Sequence, residues 1–335
     1  MKIIVCVGGN KGANAARIGV RLAKQLQNNG QEVVLMAPRG KVQFSDGVCY
    51  KEYAPNTSAK TLGNNLAEQE PQLVISVMNL LLCEAAAKAK VPFIYIEHAN
   101  FKEDKVVKNK KTILKKAKKV VVLTDPEQPL SKRAYAGLPV AEVINPSVWV
   151  EHYNYNKPAC FKKENNVLAV LPLTQESGVE LLLNSWSKLA PLHTTWHLTV
   201  AGDGVLKEKV EAFIADNRLQ DSLEVVSALG DIYSLLRHAD IFAYPSGADF
   251  RADMVLDAMA SKLPCVAAES EHVCTLMTNG VNGLIVNEGE EEPFTQALDE
   301  LMVHWGRRVE MAVEAAKLKD QYPFDNLVKV IEAEF

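Results

Sequence analysis

The stretch Ala239–Ala268 reads ADIFAYPSGADFRADMVLDAMASKLPCVAA. Ile241–Tyr244 and Cys265–Ala268 are short apolar runs with the composition of buried strands. Between them lie a loop and a helical pattern. Strand, loop, helix and strand in immediate succession form a β-α-β unit, whose strands run parallel in a sheet covered by helices on both faces. Asp249 lies in the loop, and Asp257 follows eight residues later, inside the helical pattern. Eight residues is a little over two helical turns, so both carboxylates can face one groove. A carboxylate suits sugar and ribose hydroxyls because it accepts two hydrogen bonds from a vicinal diol.

The same alternation extends in both directions. Toward the N-terminus the apolar runs are Ile3–Val7, Val33–Met36, Leu73–Val77, Pro92–Ile96, Val120–Leu123, Val140–Ile144, Val167–Leu171, Trp196–Val200 and Leu223–Val226; toward the C-terminus follows Gly283–Val286. Helical patterns such as Ala15–Gln27, Val179–Leu189, Lys207–Ala215 and Pro293–His304 fall between them. The repetition predicts α/β architecture. It pauses once, at Pro146–Asn166, a polar, aromatic stretch read as a linker. The expected division is an N-terminal Rossmann-like domain over 1–150, a second over 151–320, and a C-terminal helix, 321–335, packing back toward the first.

A chain of 335 residues, 48% hydrophobic and 23% charged, has enough apolar material for two cores. No apolar run is long enough to span a membrane, and the opening MKIIVCVGG is too short for a signal peptide and reads as a first strand. Six cysteines without a CxxC pair read as buried, reduced thiols, and no Cys/His cluster has zinc-ligand spacing. The net charge of −4 conceals a split: residues 1–150 hold 22 Lys+Arg against 12 Asp+Glu, and residues 151–335 hold 15 against 29. The basic half could face a membrane surface, a lipid-linked phosphate or nucleic acid.

Three features of that half stand out. The first strand runs into Gly8-Gly9-Asn10-Lys11-Gly12 before a helix, where backbone can approach an anionic ligand. GGNKGANA does not fit the dinucleotide fingerprint G-x-G-x-x-G, which argues against a nicotinamide oxidoreductase. His98 stands just past a strand, placed to act as acid, base or hydrogen-bond donor in a cleft. Residues 102–119 hold nine Lys against one Glu and one Asp, with Val106, Val107, Ile113, Leu114 and Ala117 spaced for one helix face. That pattern predicts a basic amphipathic helix presenting Lys108, Lys110, Lys111, Lys115 and Lys116 to anionic headgroups. Aromatic interleaving of the kind used on single-stranded nucleic acid is missing, so nucleic acid is not an expected partner.

The central stretch resembles the signature of the family 4 glycosyltransferases, retaining enzymes of the GT-B fold. Their strand ending in P-S, E-G-F-G, E-A-M-A and G-x-P-V-V-A corresponds to Pro245-Ser246, Asp249-Phe250-Arg251-Ala252, Asp257-Ala258-Met259-Ala260 and Leu263-Pro264-Cys265-Val266-Ala267. Other segments match in order and spacing: Leu198–Gly204 resembles L-x-I-x-G-x-G, the stretch around Leu229-Gly230 the next strand end, and Asn279–Val286 N-G-x-N-G-L-L-V. Val143–Pro146, Pro92–His98 and Tyr322–Asp325 resemble the family's V-I-P-N-P, P-x-V-x-T-x-H and F-x-W-E. The resemblance covers nearly the whole chain.

It implies two Rossmann-like domains flanking a deep interdomain cleft, with no metal or other cofactor. The donor would be a nucleoside diphosphate sugar and the acceptor a glycan or lipid-linked hydroxyl, in bacterial lipopolysaccharide or polysaccharide assembly. The setting would be the cytoplasm, peripheral on the inner face of the plasma membrane. Asp257 would bind the ribose. Asp249, with backbone of Phe250, Arg251 and Ala252, would hold the donor sugar, and His98 would lie over it. Gly202, Gly204, Ser177, Gly178 and Gly230 would complete the donor side, while Gly9, Lys11, Gly12 and Arg17 would face the acceptor or diphosphate. The family's G-R-L-x-x-x-K-G is here Leu171–Gly178, with Pro172 at the Arg position and Ser177 at the Lys position. Both acids are shortened to Asp, and G-F-G is replaced by Phe250-Arg251-Ala252. These departures leave open a non-catalytic relative that binds an active transferase.

Overall fold

The computed structural model describes residues 1–8, 12–40, 42, 47–98, 108–124, 135–144, 165–228, 232–247 and 253–335. The chain divides into two compact units, Met1–Val148 with Tyr322–Phe335, and Trp149–Gln321. The expected linker, 146–166, falls almost wholly outside the described residues.

The first unit runs β1 (Lys2–Val7), α1 (Gly12–Asn28), β2 (Glu32–Pro38), β3 (Cys49–Tyr53), α2 (Ala59–Glu68), β4 (Leu73–Val77), α3 (Leu80–Ala89), β5 (Phe93–His98), α4 (Lys108–Leu114), β6 (Lys119–Thr124) and β7 (Val140–Ile144). Its strands form one parallel sheet in the order β3-β2-β1-β4-β5-β6-β7. Because side chains alternate across a strand, one face carries Ile4, Cys6, Val34, Met36, Val74, Phe93, Tyr95, Val120 and Val122, packed against Leu62 and Leu66 of α2 and Leu82, Cys83 and Ala86 of α3. The other face, with Ile3, Val5 and Val7, is also buried, and α1 packs on β1, β2 and β4. Burial on both faces is why these strands read as continuous apolar runs.

The second unit runs β8 (Asn166–Val170), α5 (Val179–Leu189), β9 (His197–Ala201), α6 (Lys207–Asp216), β10 (Leu223–Val226), α7 (Ile232–His238), β11 (Ile241–Tyr244), α8 (Asp253–Ala260), β12 (Cys265–Ala268), α9 (Glu271–Leu276), β13 (Gly283–Val286), α10 (Glu291–Val303) and α11 (Trp305–Ala315). Its parallel sheet has the order β10-β9-β8-β11-β12-β13. The core joins Val167, Ala169, Leu198, Val200, Ile241 and Ala243 to one face of α5, where Leu182, Leu183 and Trp186 point inward, and to Phe294, Leu298 and Leu301 of α10. Each Val, Leu, Ile or Phe among them contributes roughly 1.5–3 kcal/mol by leaving water. Trp186 is fully buried, and its indole N–H donates to Ser222 Oγ at 3.3 Å. Buried Arg308 stacks on Trp196 at 5.0 Å and donates to Met302 O at 2.9 Å.

The chain then returns to the first unit, where α12 (Asp325–Glu332) packs on α1 and β7. Leu327, Val328 and Ile331 are its buried stripe. Polar ties hold its ends: Asn29 Nδ2 donates to Glu332 at 2.8 Å, Lys119 pairs with Glu334 at 2.8 Å, and the Arg21 guanidinium lies 5.4 Å from the Phe324 ring centre.

Three expectations are corrected. Strand β3 was not anticipated, because CYKEY is a charged edge strand whose one buried residue, Tyr53, leaves no apolar run to detect. The basic helix is shorter than expected. Among the described residues of 102–119 only Lys108–Leu114 is helical, and Lys119 already belongs to β6. The cysteines divide: Cys6, Cys83 and Cys265 are buried, but Cys49 and Cys274 are exposed, and Cys160 lies outside the described residues.

Candidate functional site

Both sheets reverse their winding once, between β1 and β4 in the first unit and between β8 and β11 in the second. At such a switch point the loops leaving two neighbouring strands diverge to opposite faces. The crevice beyond their carboxyl ends is where open α/β sheets bind ligands.

In the second unit the crevice is built by close backbone packing. Past β8 the chain continues almost as a strand: Leu171 N–H donates to Ala201 O and Leu173 N–H to Asp203 O, both at 3.1 Å. In a parallel ladder alternate N–H groups face a given neighbour, so residue 172 donates none toward β9, and Pro172 leaves that pairing intact. Gly202 lies directly over this segment. A Cβ there would stand 2.1 Å from Leu171 O, and one on Gly204 would stand 2.4 Å from Leu173 O.

The chain next makes a short 3-10 turn, Gln175–Ser177, and enters α5 through Gly178 at φ 71°. A Cβ on Gly178 would meet Pro245 O at 2.5 Å, so this entry presses against the end of β11. Ser246 Oγ, just past β11, donates to Glu176 O at 2.9 Å and fastens the two loops together. The N-cap residue, Gly178, has no side chain to cap α5; Val179 N–H is taken by Ser177 Oγ, and the N–H groups of the first turn after it carry the positive end of the helix dipole. Glu180, in that first turn, is paired with Lys209 at 2.6 Å.

Ser177 is almost completely buried. Its hydroxyl donates to Thr174 O at 2.7 Å and accepts from Val179 N–H at 3.4 Å. It serves its own turn; what this position offers a ligand is backbone. Asp257 is 1% exposed in a helix whose other residues after Asp253 are also buried. A carboxylate placed there carries a desolvation cost that an apolar residue would not.

Sequence reasoning missed Asp203, whose Oδ2 accepts from Ser227 Oγ at 2.9 Å and Ala228 N–H at 3.2 Å and so ties the loop after β9 to the loop after β10. It stood in plain view between two motif glycines, but its partners are distant in sequence.

Among the other expected residues, Asp249, Phe250, Arg251, Ala252, Gly230, Gly9 and Lys11 lie outside the described residues. Gly12 opens α1, and Arg17 lies on the same helix, 9% exposed. His98 closes β5, in register with Leu123 of β6; its side chain is outside what is described.

The lysine face is corrected in one respect. Lys110 does not point outward: it is paired with Glu97 near the carboxyl end of β5, and its ammonium lies 5.6 Å from the Tyr95 ring centre. Burial, reinforced by Glu97, pushes the Tyr95 phenol up. Lys115 and Lys116 are exposed and Lys111 half-buried; the Lys108 side chain is outside the described residues. A groove of about 450 Å³ between α3 and α4 is lined by Glu84, Lys88, Ile113 and Lys116. A second, of about 370 Å³, lies at the opposite end of the second sheet from the crevice, lined by Asn166, His197, Asp221, Glu224 and His238. Among the described residues no helix is long and apolar enough to cross a membrane, and no group of His, Cys, Asp and Glu could hold a metal ion.

Residues 164–304, which contain the crevice of the second unit, match the family model of glycosyl transferases group 1. An uncharacterized glycosyltransferase of Haemophilus influenzae is 25% identical over 213 residues, 63% of this chain and 59% of that protein. The amylovoran biosynthesis glycosyltransferase AmsD of Erwinia amylovora is 27% identical over 188 residues, 56% of this chain and 53% of that protein. The matches thus span little more than half the length of these relatives. The crystal structure of Anabaena Alr3699/HepE in complex with UDP-glucose superposes with a TM-score of 0.67 at 15% identity, covering all of both chains. At that identity the likeness concerns the fold, which is the two-domain GT-B architecture.

Proposed function

We propose that the chain is a retaining, family 4 glycosyltransferase. It moves a hexose-type sugar from a nucleoside diphosphate donor to a hydroxyl of a glycan or lipid-linked acceptor, in bacterial lipopolysaccharide or polysaccharide assembly. The observation that carries this reading is the N-terminus of α5, entered through a left-handed Gly178 that presses against Pro245 at the switch point of the second sheet. It lies within the segment that matches glycosyl transferases group 1. A relative named for amylovoran biosynthesis and a fold neighbour solved with UDP-glucose support the substrate class.

In this reading the donor diphosphate rests on the first-turn N–H groups of α5, which are positive without a cation. Asp257 accepts hydrogen bonds from the ribose diol, and the proposed roles of Asp249 and His98 on the donor sugar fall outside what the structure describes. The bond from the anomeric carbon to the phosphate oxygen breaks as the acceptor oxygen bonds to that carbon on the same face. The acceptor's proton passes to the departing diphosphate. The helix end stabilises that developing charge, the term that dominates many enzymes.

Titration calorimetry with UDP and GDP tests the donor site. Binding in the micromolar to low millimolar range, weakened at least tenfold in Asp257→Asn with folding intact, is the expected result. No heat with either nucleotide at millimolar concentration rejects the reading.

A second reading, a non-catalytic GT-B protein that partners an active transferase, is favoured by Pro172 and the inward Ser177. Hydrogen bonds to a charged phosphate are worth about 1.5–3 kcal/mol each, so losing two cations weakens donor binding a hundredfold or more unless backbone compensates. Nucleotide binding without release of UDP or GDP from any sugar nucleotide would select this second reading.

We also propose a cytoplasmic protein that sits on an anionic bilayer through Lys111, Lys115 and Lys116. Their joint replacement by Gln should reduce sedimentation with phosphatidylglycerol vesicles at low salt, and an unchanged bound fraction rejects it.

A further inference from the structure

The second sheet changes character at the amino ends of β8, β9 and β10. Alternation along these strands sends Val167, Leu198, Val200 and Leu223 into the core with α5 and α10. The opposite face begins with Asn166, His197, Thr199 and Glu224, where Asn166 is in register with His197 and Thr199 with Glu224. Strands packed under helices on both faces are apolar throughout, so this polar run is not what helix packing asks for. Helix α7 contacts β8 and ends at His238, and His238 lines the groove of about 370 Å³ that these residues form.

The groove contains a hydrogen-bond network with too few protons. Thr199 is 3% exposed, and its hydroxyl lies 3.2 Å from Asn166 Oδ1 and 3.1 Å from Glu224 Oε1. A hydroxyl has one proton, so it serves only one of these two acceptors. Turning the Asn166 amide over lets its Nδ2 donate to Thr199, but its own oxygen is then the acceptor left over. In either arrangement the unserved acceptor belongs to a residue that lines the groove. Beside it Asp240, 2% exposed, accepts from Asn166 N–H at 3.1 Å and adds a buried carboxylate.

Charge sets the sign of a ligand here. Asp221 and Glu224 line the groove; among the described residues no Lys or Arg lines it, and neither carboxylate is paired with a cation. The surrounding half of the chain is strongly acidic, and a cleft of one sign concentrates the opposite charge. Among the described residues no group of His, Cys, Asp and Glu could hold a metal ion, so the matching cation is organic. An alkylammonium carries three donors and no acceptor, the complement of a network short of protons. Two carboxylates suit two such groups.

We infer that this groove is a second binding site, separate from the crevice at the other end of the sheet, and that its ligand is a diamine or polyamine. One ammonium donates to Glu224 and to the acceptor Thr199 leaves unserved; the other pairs with Asp221. The inference is independent of the transferase reading.

Titration calorimetry of the full chain with putrescine at low salt is the test. Putrescine should bind saturably with a Kd below about 1 mM, and butane-1,4-diol, neutral and of similar length, should give no heat at the same concentration. A hydrogen bond to a charged group is strong enough that Glu224→Gln and Asp221→Asn should each weaken putrescine about tenfold or more. Gln keeps an oxygen for Thr199, so the Tm of Glu224→Gln should stay within about 2 °C of wild type. Glu290→Gln, which removes the same charge beyond the carboxyl end of β13, should leave the Kd unchanged. In protein labelled with ¹³C at histidine, the His197 ring signal, assigned with His197→Gln, should follow the same saturation curve. UDP binding in Glu224→Gln should equal wild type, whether strong or absent. No saturable putrescine binding, an equal response to the diol, or equal weakening by Glu290→Gln and Glu224→Gln overturns the inference. Calcium or zinc binding more tightly than putrescine, and lost in Glu224→Gln, overturns it in favour of a metal ion.

Discussion

Replacing Lys110 by Met should destabilise the first unit without touching its surface charge chemistry. The Lys110 and Glu97 side chains are 21% and 8% exposed, and Glu97 Oε1 is buried with no hydrogen-bond partner. Lys110 is therefore the main compensation for a carboxylate beside the aromatic ring of Tyr95. Removing one partner of a buried pair costs about 3–5 kcal/mol, because the other charge is left desolvated. The partial exposure of Lys110 lets some water reach the gap, which favours the lower figure. For a unit of this size about 3 kcal/mol lowers Tm by roughly 6–12 °C. Thermal melting followed by circular dichroism is the assay. The double variant Glu97→Leu/Lys110→Met should recover most of the loss, since an apolar pair of similar volume needs no compensation. Vesicle binding of Lys110→Met should equal wild type. A single-variant Tm within 2 °C of wild type, or a double variant no better than the single, would refute the buried-pair argument.

Gly178→Ala forces a left-handed alanine, at about 1–2 kcal/mol, and drives a methyl against Pro245 O; reduced Tm of the second unit and loss of UDP binding should appear together. Alkaline pH should destabilise the first unit. Burial raises the Cys83 thiol from 9.0 to about 12 and the Tyr53 phenol from 10.0 to about 12. The unfolded chain then sheds protons first, so stability is flat below about pH 9 and falls by up to about 1.4 kcal/mol per group per pH unit as pH rises toward 12. Urea midpoints measured from pH 7 to 11 check the sign. A thiol reagent at pH 8 should label Cys49 and Cys274 in the native protein, and Cys6, Cys83 and Cys265 only after unfolding; native labelling of Cys83 would contradict its burial.

The fold was legible because parallel strands covered on both faces must be apolar throughout, and such runs stand out in a sequence. The missed strand, β3, lies at a sheet edge, where only Tyr53 is buried and the alternation that marks a strand is lost among charges. The lysine helix was over-read for a related reason. A periodic pattern places every Lys on the outer face, but Lys110 obeys Glu97, which the chain brings close only by ending β5 beside α4. At the crevice, Gly178, Gly202 and Gly204 were legible as motif glycines, and the carbonyls against which they press explain why a side chain is refused. Ser177 was counted as a ligand contact because its burial is invisible in a letter.

The return of Tyr322–Phe335 to the first unit bears on how the protein is made. Translation delivers the second unit whole before it delivers the last piece of the first. Until α12 emerges, the edge strand β7 and a flank of α1 lack the apolar stripe that covers them. The earlier-made half therefore waits, unfinished, while the later-made half closes, and that interval is when the nascent chain most needs protection from pairing with its neighbours.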